Sequence, residues 1–168
     1  MKEIHNNTKF ISYLTFKLGE ETFAANVGKV INILEMTNIT SVPKSPDYMM
    51  GVINLRGSVL PVIDTRQKFG MEETELTSNT CIIVMEVKME SDTVRVGTLV
   101  DSVEEVIEIE DDQIQPPPAI GNKYRSEFIK GMVNQNETFI MILDMDKVFS
   151  LNELSAIQDK IPEHNKAE

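Results

Sequence analysis

The chain has 168 residues, with 16 lysines plus arginines against 27 aspartates plus glutamates, a net charge of −11. That length suits one ordinary domain or two very small ones sharing a core, an apolar fraction of 41% supplies the interior, and the acidity argues against nucleic acid or an anionic membrane as the main partner. No apolar run approaches the roughly 18 residues of a membrane span, Met1 to Lys9 lack a secretory apolar stretch, and the single cysteine, Cys81, excludes an internal disulfide framework and fits a reducing compartment.

Residues 1–8 read as a flexible tail. From Phe10 to Leu18, the residues Phe10, Leu14, Phe16 and Leu18 fall on one side at period two, which predicts a strand with one buried face. Gly19 to Glu21 supply a turn, and Thr22 to Ala25 pair back as a hairpin. Val27, Val30, Ile31 and Leu34 then recur at helical spacing, which predicts a short turn near 26–31 before extended chain over 33–39. Pro43 and Pro46 bracket a loop. Residues 51–64 read as two strands joined at Asn54 to Gly57, with Pro61 pushing the second toward a sheet edge or bulge. Asp64 is placed to cap a single helical turn to Phe69. The polar, acidic stretch 70–79 lacks periodicity and reads as a linker. Strands are expected over 81–87, 94–100 and 103–109. A break follows at Pro116 to Pro118 with a loop to about Arg125, and a last strand pair occupies 128–144. A short helix from Leu151 through Ile157 and a disordered end from Pro162 complete the reading.

The sequence repeats itself. Residues 48–69 lie over 128–149 without a gap: Gly51 meets Gly131, Asn54 meets Asn134, Asp64 meets Asp144 and Phe69 meets Phe149. Upstream, Val27, Val30, Ile33 and Leu34 lie over Val100, Val103, Val106 and Ile107. Self-similarity of this kind marks a duplicated supersecondary unit of short strands. Each copy is the size of a small barrel, too small to be robust alone, so two packed side by side are expected. The expected division is a first barrel over 9–69, the linker 70–79 and a second barrel over 80–149.

Little in the composition supports catalysis. The two histidines, His5 and His164, lie in polar terminal segments, where a Ser-His-Asp or Cys-His pair would need a tail to fold onto a pocket. Asp64 and Asp144 occupy equivalent positions, which admits a carboxylate pair for acid–base work, but a strand-end cap needed twice is the simpler reading. Glu108, Glu110, Asp111 and Asp112 lack the spacing of a calcium loop and read as a solvated turn. Cys81 reads as a small buried apolar residue. No metal site, cofactor site or phosphate-cradling loop is expected. Gly51, Gly57, Gly97 and Gly131 read as structural glycines at turns, beside the caps Asp64 and Asp144.

The block Gly51-Val52-Ile53-Asn54-Leu55-Arg56-Gly57-Ser58-Val59-Leu60-Pro61-Val62-Ile63-Asp64 resembles the signature GVxNLRGxVxPVxDLRxxF of the CheW family, the bacterial chemotaxis coupling proteins, and departs from it at Thr65. Phe16 to Glu21, Lys29 to Ile33, Val42-Pro43, Val96-Gly97 and Val100 to Val103 extend the resemblance over about residues 10–150. It implies a mostly β fold of two similar five-stranded SH3-like barrels packed side by side, with short helical turns. It also implies a non-catalytic, cytoplasmic scaffold, monomeric when free and recruited to membrane receptor arrays. Such a scaffold binds the regulatory domain of the histidine kinase CheA and the tips of methyl-accepting chemotaxis receptors, with no direct membrane insertion. The lack of a receiver or kinase segment favours a stand-alone coupling protein over fused relatives such as CheV. A coupling module of a non-flagellar chemosensory pathway, and a small hydrolytic enzyme using Asp64 and Asp144, stand as alternatives.

Under this resemblance, Val30, Ile33, Val59, Val100 and Val103 are candidates to line an apolar crease between the barrels, although all five also serve as ordinary core. Arg56, at a turn between two apolar strands, is a candidate partner contact whose planar fork reaches a carboxylate or carbonyl; bracing the turn is the alternative. Asn32 stands where the family usually has glutamate, and is expected at the same receptor or kinase contact.

Overall fold

A computed structural model describes residues 9–89, 92–116 and 128–149. The expected tail over 1–8, the loop from 117 to 125 and everything expected from Leu151 onward lie outside the described residues. Within them the chain forms β1 (Phe10–Leu18), β2 (Glu21–Asn26), a 3-10 turn (Val27–Lys29), β3 (Val30–Glu35), β4 (Met49–Leu55), β5 (Ser58–Asp64) and α1 (Thr65–Lys68). It continues with β6 (Cys81–Met89), β7 (Asp92–Val100), β8 (Ser102–Glu110), a 3-10 turn (Asp111–Gln113), β9 (Ile129–Gln135), β10 (Thr138–Leu143) and α2 (Met145–Val148).

Two five-stranded sheets result, in the orders β8-β1-β2-β10-β9 and β3-β6-β7-β5-β4. The orders coincide once the repeat is applied, with β6 and β7 standing for β1 and β2, and β3, β4 and β5 for β8, β9 and β10. Each half of the sequence therefore gives its first two strands to one sheet and its last three to the other. The expected division at residues 70–79 does not hold. A central barrel is built from residues 30–100, and a split barrel from 10–26 and 102–143. The physical reason is the pair of parallel ladders that join the halves. One runs from Ile140↔Thr22 to Ile142↔Ala24, the other from Val62↔Gly97 to Asp64↔Leu99. Residues 70–79 are no free linker either, since Met71 N–H donates to Arg66 C=O at 2.8 Å and Thr74 is buried.

Exchange gives the middle strands two buried faces. On β1, Tyr13 points into the split barrel while Leu14, Phe16 and Leu18 pack between the sheets, so the expected single buried face is corrected. The outlier is Phe10, which is 58% exposed. On β6, Ile82 and Val84 fill the central barrel and Ile83, Met85 and Val87 face the seam. The seam holds the largest of the three apolar clusters, drawing on both sheets and both helical turns. Aromatics from both halves of the chain meet there: Phe69 stacks on Phe128 at 5.5 Å and tilts on Phe23 at 5.7 Å. The Lys68 ammonium lies 5.0 Å from the Tyr48 ring centroid, 5.4 Å from that of Phe128 and 6.0 Å from that of Phe149.

Ion pairs pin both crossings between barrels. At the β2–β3 crossing, Lys29 holds both oxygens of Asp146 in α2, at 2.8 and 2.7 Å. At the β7–β8 crossing, Asp101 accepts from Gly19 N–H and lies 3.4 Å from the Arg66 guanidinium of α1. The charge order is reversed between the two copies.

Two of the glycines expected at turns lie instead inside strands where another segment crosses. A Cβ on Gly51 would meet Thr40 C=O at 2.1 Å, and one on Gly131 would meet Ile114 Cγ2 at 2.4 Å and Gln115 C=O at 2.5 Å. These are the crossings that form the Thr40↔Val52 and Gln115↔Met132 bridges. Gly97 is likewise no turn; it lies within β7, where a Cβ would reach Ile82 Cγ2 at 2.9 Å. Pro61 is not on an edge strand either: β5 lies between β7 and β4, but its ladder to β7 begins at Val62, one residue beyond the missing N–H.

Two outcomes follow from this architecture. Cleavage of the chain between Glu75 and Leu76 is expected to leave the two pieces bound one to one, with neither folded alone, as read by size exclusion and circular dichroism. Gly131→Ala is expected to lower stability in urea by about 1–3 kcal/mol, because the added methyl overpacks a backbone crossing.

Candidate docking site

The β4–β5 hairpin closes through Leu55-Arg56-Gly57-Ser58, with Leu55 paired to Ser58. Both central residues are left-handed, Arg56 at φ 53° and Gly57 at φ 87°. This two-residue reversal follows the twist of the strands and favours Asn-Gly. Gly57 supplies the second position, and its N–H donates to Asn54 Oδ1 at 2.8 Å. Arg56 supplies the first at a cost of about 1–2 kcal/mol for an L side chain. The matching turn in the other barrel carries Asn136 at φ 53°, which tolerates that geometry better. Arg56 is exposed and makes no hydrogen bond or ion pair among the described residues. The turn therefore does not require the arginine.

Beside the hairpin tip, β3 alternates inward and outward, leaving Ile31 41% and Ile33 43% exposed. A cleft of about 320 Å³ opens where β3, the hairpin and β7 meet, lined by Ile31, Asn32, Leu55, Arg56, Val59 and Arg95 among others. Asn32 Oδ1 accepts from the Ile33 N–H at 2.8 Å.

The structure thus brings together Asn32, Arg56 and Val59, with Ile33 exposed on the same strand. It does not bring Val30, Val100 and Val103 to an open apolar crease. Val100 is wholly buried in the seam, and Val30 and Val103 pack half-buried against it. The crease is filled because strand exchange drives the apolar faces of both sheets into it. Where an opening remains along the seam, about 450 Å³ near Val103, its lining is mostly polar, from Glu35, Ser78, Thr80 and Ser102. Half-buried Cys81 lines it, its Sγ 3.3 Å from Asn79 C=O. Sequence reasoning missed Ile31 and Arg95. The apolar run Val30 to Leu34 hides which side faces out, whereas the alternation Thr93-Val94-Arg95-Val96 did mark Arg95 as outward.

Asp64 and Asp144 are both N-caps. Asp64 Oδ1 accepts from Arg66 N–H at 3.1 Å and from Thr74 Oγ1 at 2.7 Å, and its Oδ2 accepts from Thr74 N–H at 3.0 Å. Asp144 Oδ1 accepts from Asp146 N–H at 3.1 Å. Each carboxylate's bonds run to the turn it caps, and those of Asp64 also fasten the segment after α1. Among the described residues no group of three or more His, Cys, Asp or Glu is placed to hold a metal ion, and no helix is long and apolar enough to cross a membrane.

Two pseudo-equivalent barrels, joined by a filled apolar seam and carrying exposed apolar residues at their edges, define a double-barrel β module. The CheW-like domain model matches residues 12–153, and the chain belongs to the CheW family, the scaffold and coupling proteins of chemotaxis. It is 36% identical over 143 residues to a probable chemotaxis protein CheW of Rhizobium etli, covering 85% of this chain and 90% of that one. It is 31% identical over 159 residues to the chemotaxis protein CheW of Bacillus subtilis, covering 94% and 97%. The crystal structure of the scaffolding protein TtCheW from Thermoanaerobacter tengcongensis superposes with a TM-score of 0.77 at 29% identity, over 89% of this chain and 94% of that one.

Asp64→Ala is expected to cost about 2 kcal/mol in a denaturant titration, since it removes a cap and leaves Thr74 buried without its partner. Asp144→Ala, which removes a half-exposed cap alone, is expected to cost about half as much.

Proposed function

We propose that the chain is a non-catalytic adaptor that works in the cytoplasm, joining chemoreceptor tips to the regulatory domain of the histidine kinase CheA. In this reading the β3 edge and the β4–β5 hairpin form one of its partner contacts. Arg56 reaches a partner acceptor, Asn32 and Val59 line the contact, and Ile31 and Ile33 supply apolar area around it. The observation that carries the reading is Arg56 itself. A long cationic side chain sits exposed at a strained left-handed turn position, with no partner among the described residues, beside exposed isoleucines. Strain kept at a surface without internal use is explained by a contact outside the chain. Family membership supports the coupling role.

Binding of a receptor cytoplasmic fragment and of the kinase regulatory domain, each measured by isothermal titration, tests this. Arg56→Glu is expected to weaken one of them at least tenfold while the melting temperature stays within about 2 °C, as for a surface change. Arg56→Asn is expected to raise stability by about 0.5–1 kcal/mol while still weakening binding, because asparagine relieves the turn but lacks the guanidinium. Unchanged affinity of Arg56→Glu for both partners would overturn the reading.

A further inference from the structure

We infer that the charges at the two crossings form a pairing code: the seam-facing surface of each half accepts only the half of opposite charge. What the code shuts out is the same half of a second copy of this chain. The inference is independent of the docking role proposed above for Arg56.

Duplication sets the problem. Two similar units that interlock through exchanged strands can also interlock with identical units from another molecule, giving a dimer in which each half is matched to itself. The crossing glycines Gly51 and Gly131 and the seam residues Phe69 and Phe149 are the same in both copies and do not tell the halves apart. The crossing charges do. The first half carries Lys29 at its crossing and Arg66 in its helical turn, both cations, whereas the second carries Asp101 and Asp146 in those roles, both anions. Arg66 and Asp146 hold the same place in the repeat with opposite signs. Within the chain, Lys29 therefore meets Asp146 at 2.7 Å and Arg66 meets Asp101 at 3.4 Å. Two first halves would set Lys29 against Arg66 at both crossings, and two second halves would set Asp101 against Asp146. Repulsion built against the wrong partner is what turns a favourable contact into a selective one.

The order of the signs is the telling feature. With the charges at one crossing interchanged, both ion pairs would survive and brace the fold equally well. Each half would then carry one charge of each sign and would match itself. Of the two orders, the one present is the one that excludes like halves. The four side chains are at most 30% exposed, so screening by salt is weaker than for surface pairs. Lys68 adds to the effect. Its ammonium lies 5.0 Å from the Tyr48 centroid and 5.4 Å from that of Phe128, two rings related by the repeat, so two first halves would bring a second ammonium toward the same rings. Net charge points the same way: residues 1–79 hold 8 basic and 9 acidic residues, residues 80–168 hold 8 and 18.

The full-length chain and its variants are unfolded in urea, refolded at high protein concentration and sized by sedimentation velocity, with circular dichroism and thermal melts as folding controls. Lys29→Asp with Asp146→Lys inverts one crossing, and the dimer fraction is expected to rise about tenfold over the parent. Arg66→Asp with Asp101→Arg inverts the other crossing instead and is expected to do the same. All four changes together restore the exclusion with the signs exchanged and are expected to return the dimer fraction to that of the parent. Lys29→Gln with Asp146→Asn removes a pair without inverting it, and is expected to stay within about threefold of the parent; it draws the same distinction if the fourfold variant does not fold. If both singly inverted chains remain as monomeric as the parent, the inference is overturned. It is equally overturned if the neutral or the fully inverted chain associates as much as they do, since the charges then only brace the crossings.

Discussion

The apolar seam between the two sheets governs the rest of the molecule. Each barrel is small, and its interior cluster alone is modest: Tyr13, Ile107, Ile142 and their neighbours in one, Ile53, Leu60, Leu99 and theirs in the other. Surface-to-volume scaling makes such units marginal by themselves. Burying the second face of β1, β6, β7 and β10 in a shared core removes further apolar area from water. It does so with strands that each half of the chain lends to the other. The seam, the parallel ladders and the two crossing ion pairs are thus parts of one arrangement, and a cleft there would cost the molecule its main cohesive contact. The exposed apolar residues Ile31, Ile33, Val106 and Phe139 lie on the outer edges.

Duplication explains why those edges come in pairs, and divergence explains why they differ. Arg56 corresponds to Asn136, Val59 to Phe139 and Ile33 to Val106. Residues that hold the backbone stay the same in both copies: the crossing glycines Gly51 and Gly131, the caps Asp64 and Asp144, and the seam aromatics Phe69 and Phe149. Residues that face solvent have changed charge and size, and Phe139 and Val106 are more than half exposed. Packing constrains the first group at both sites at once, while the second answers only to what lies outside the chain.

Much of this was legible in the residues. The strand pairs about Gly19, Gly57 and Asn136, the caps and the short turn after Asn26 all follow from local chemistry, with signals contained within a few residues. Arg56 stood out because its counterpart is not an arginine. Three readings failed for a common reason. The single buried face of β1, the apolar crease through Val100, and the barrel boundary at 70–79 each depend on which faces meet across long separations. A period of two shows that a face is buried but not what buries it. Thr74 shows the same limit: a polar residue in an acidic stretch, it is held under Asp64 by a contact its own neighbours do not announce.

The amino-acid sequence by itself determined the strands, the duplication and the family resemblance, because these rest on periodicity, turn chemistry and an ungapped signature. Tertiary structure alone decided that the halves exchange strands, that the seam is packed with apolar side chains, and that Arg56, Asn32 and Arg95 share one cleft. Those outcomes depend on long-range pairing, where two packings with the same local preferences differ only in how much apolar surface they remove from water.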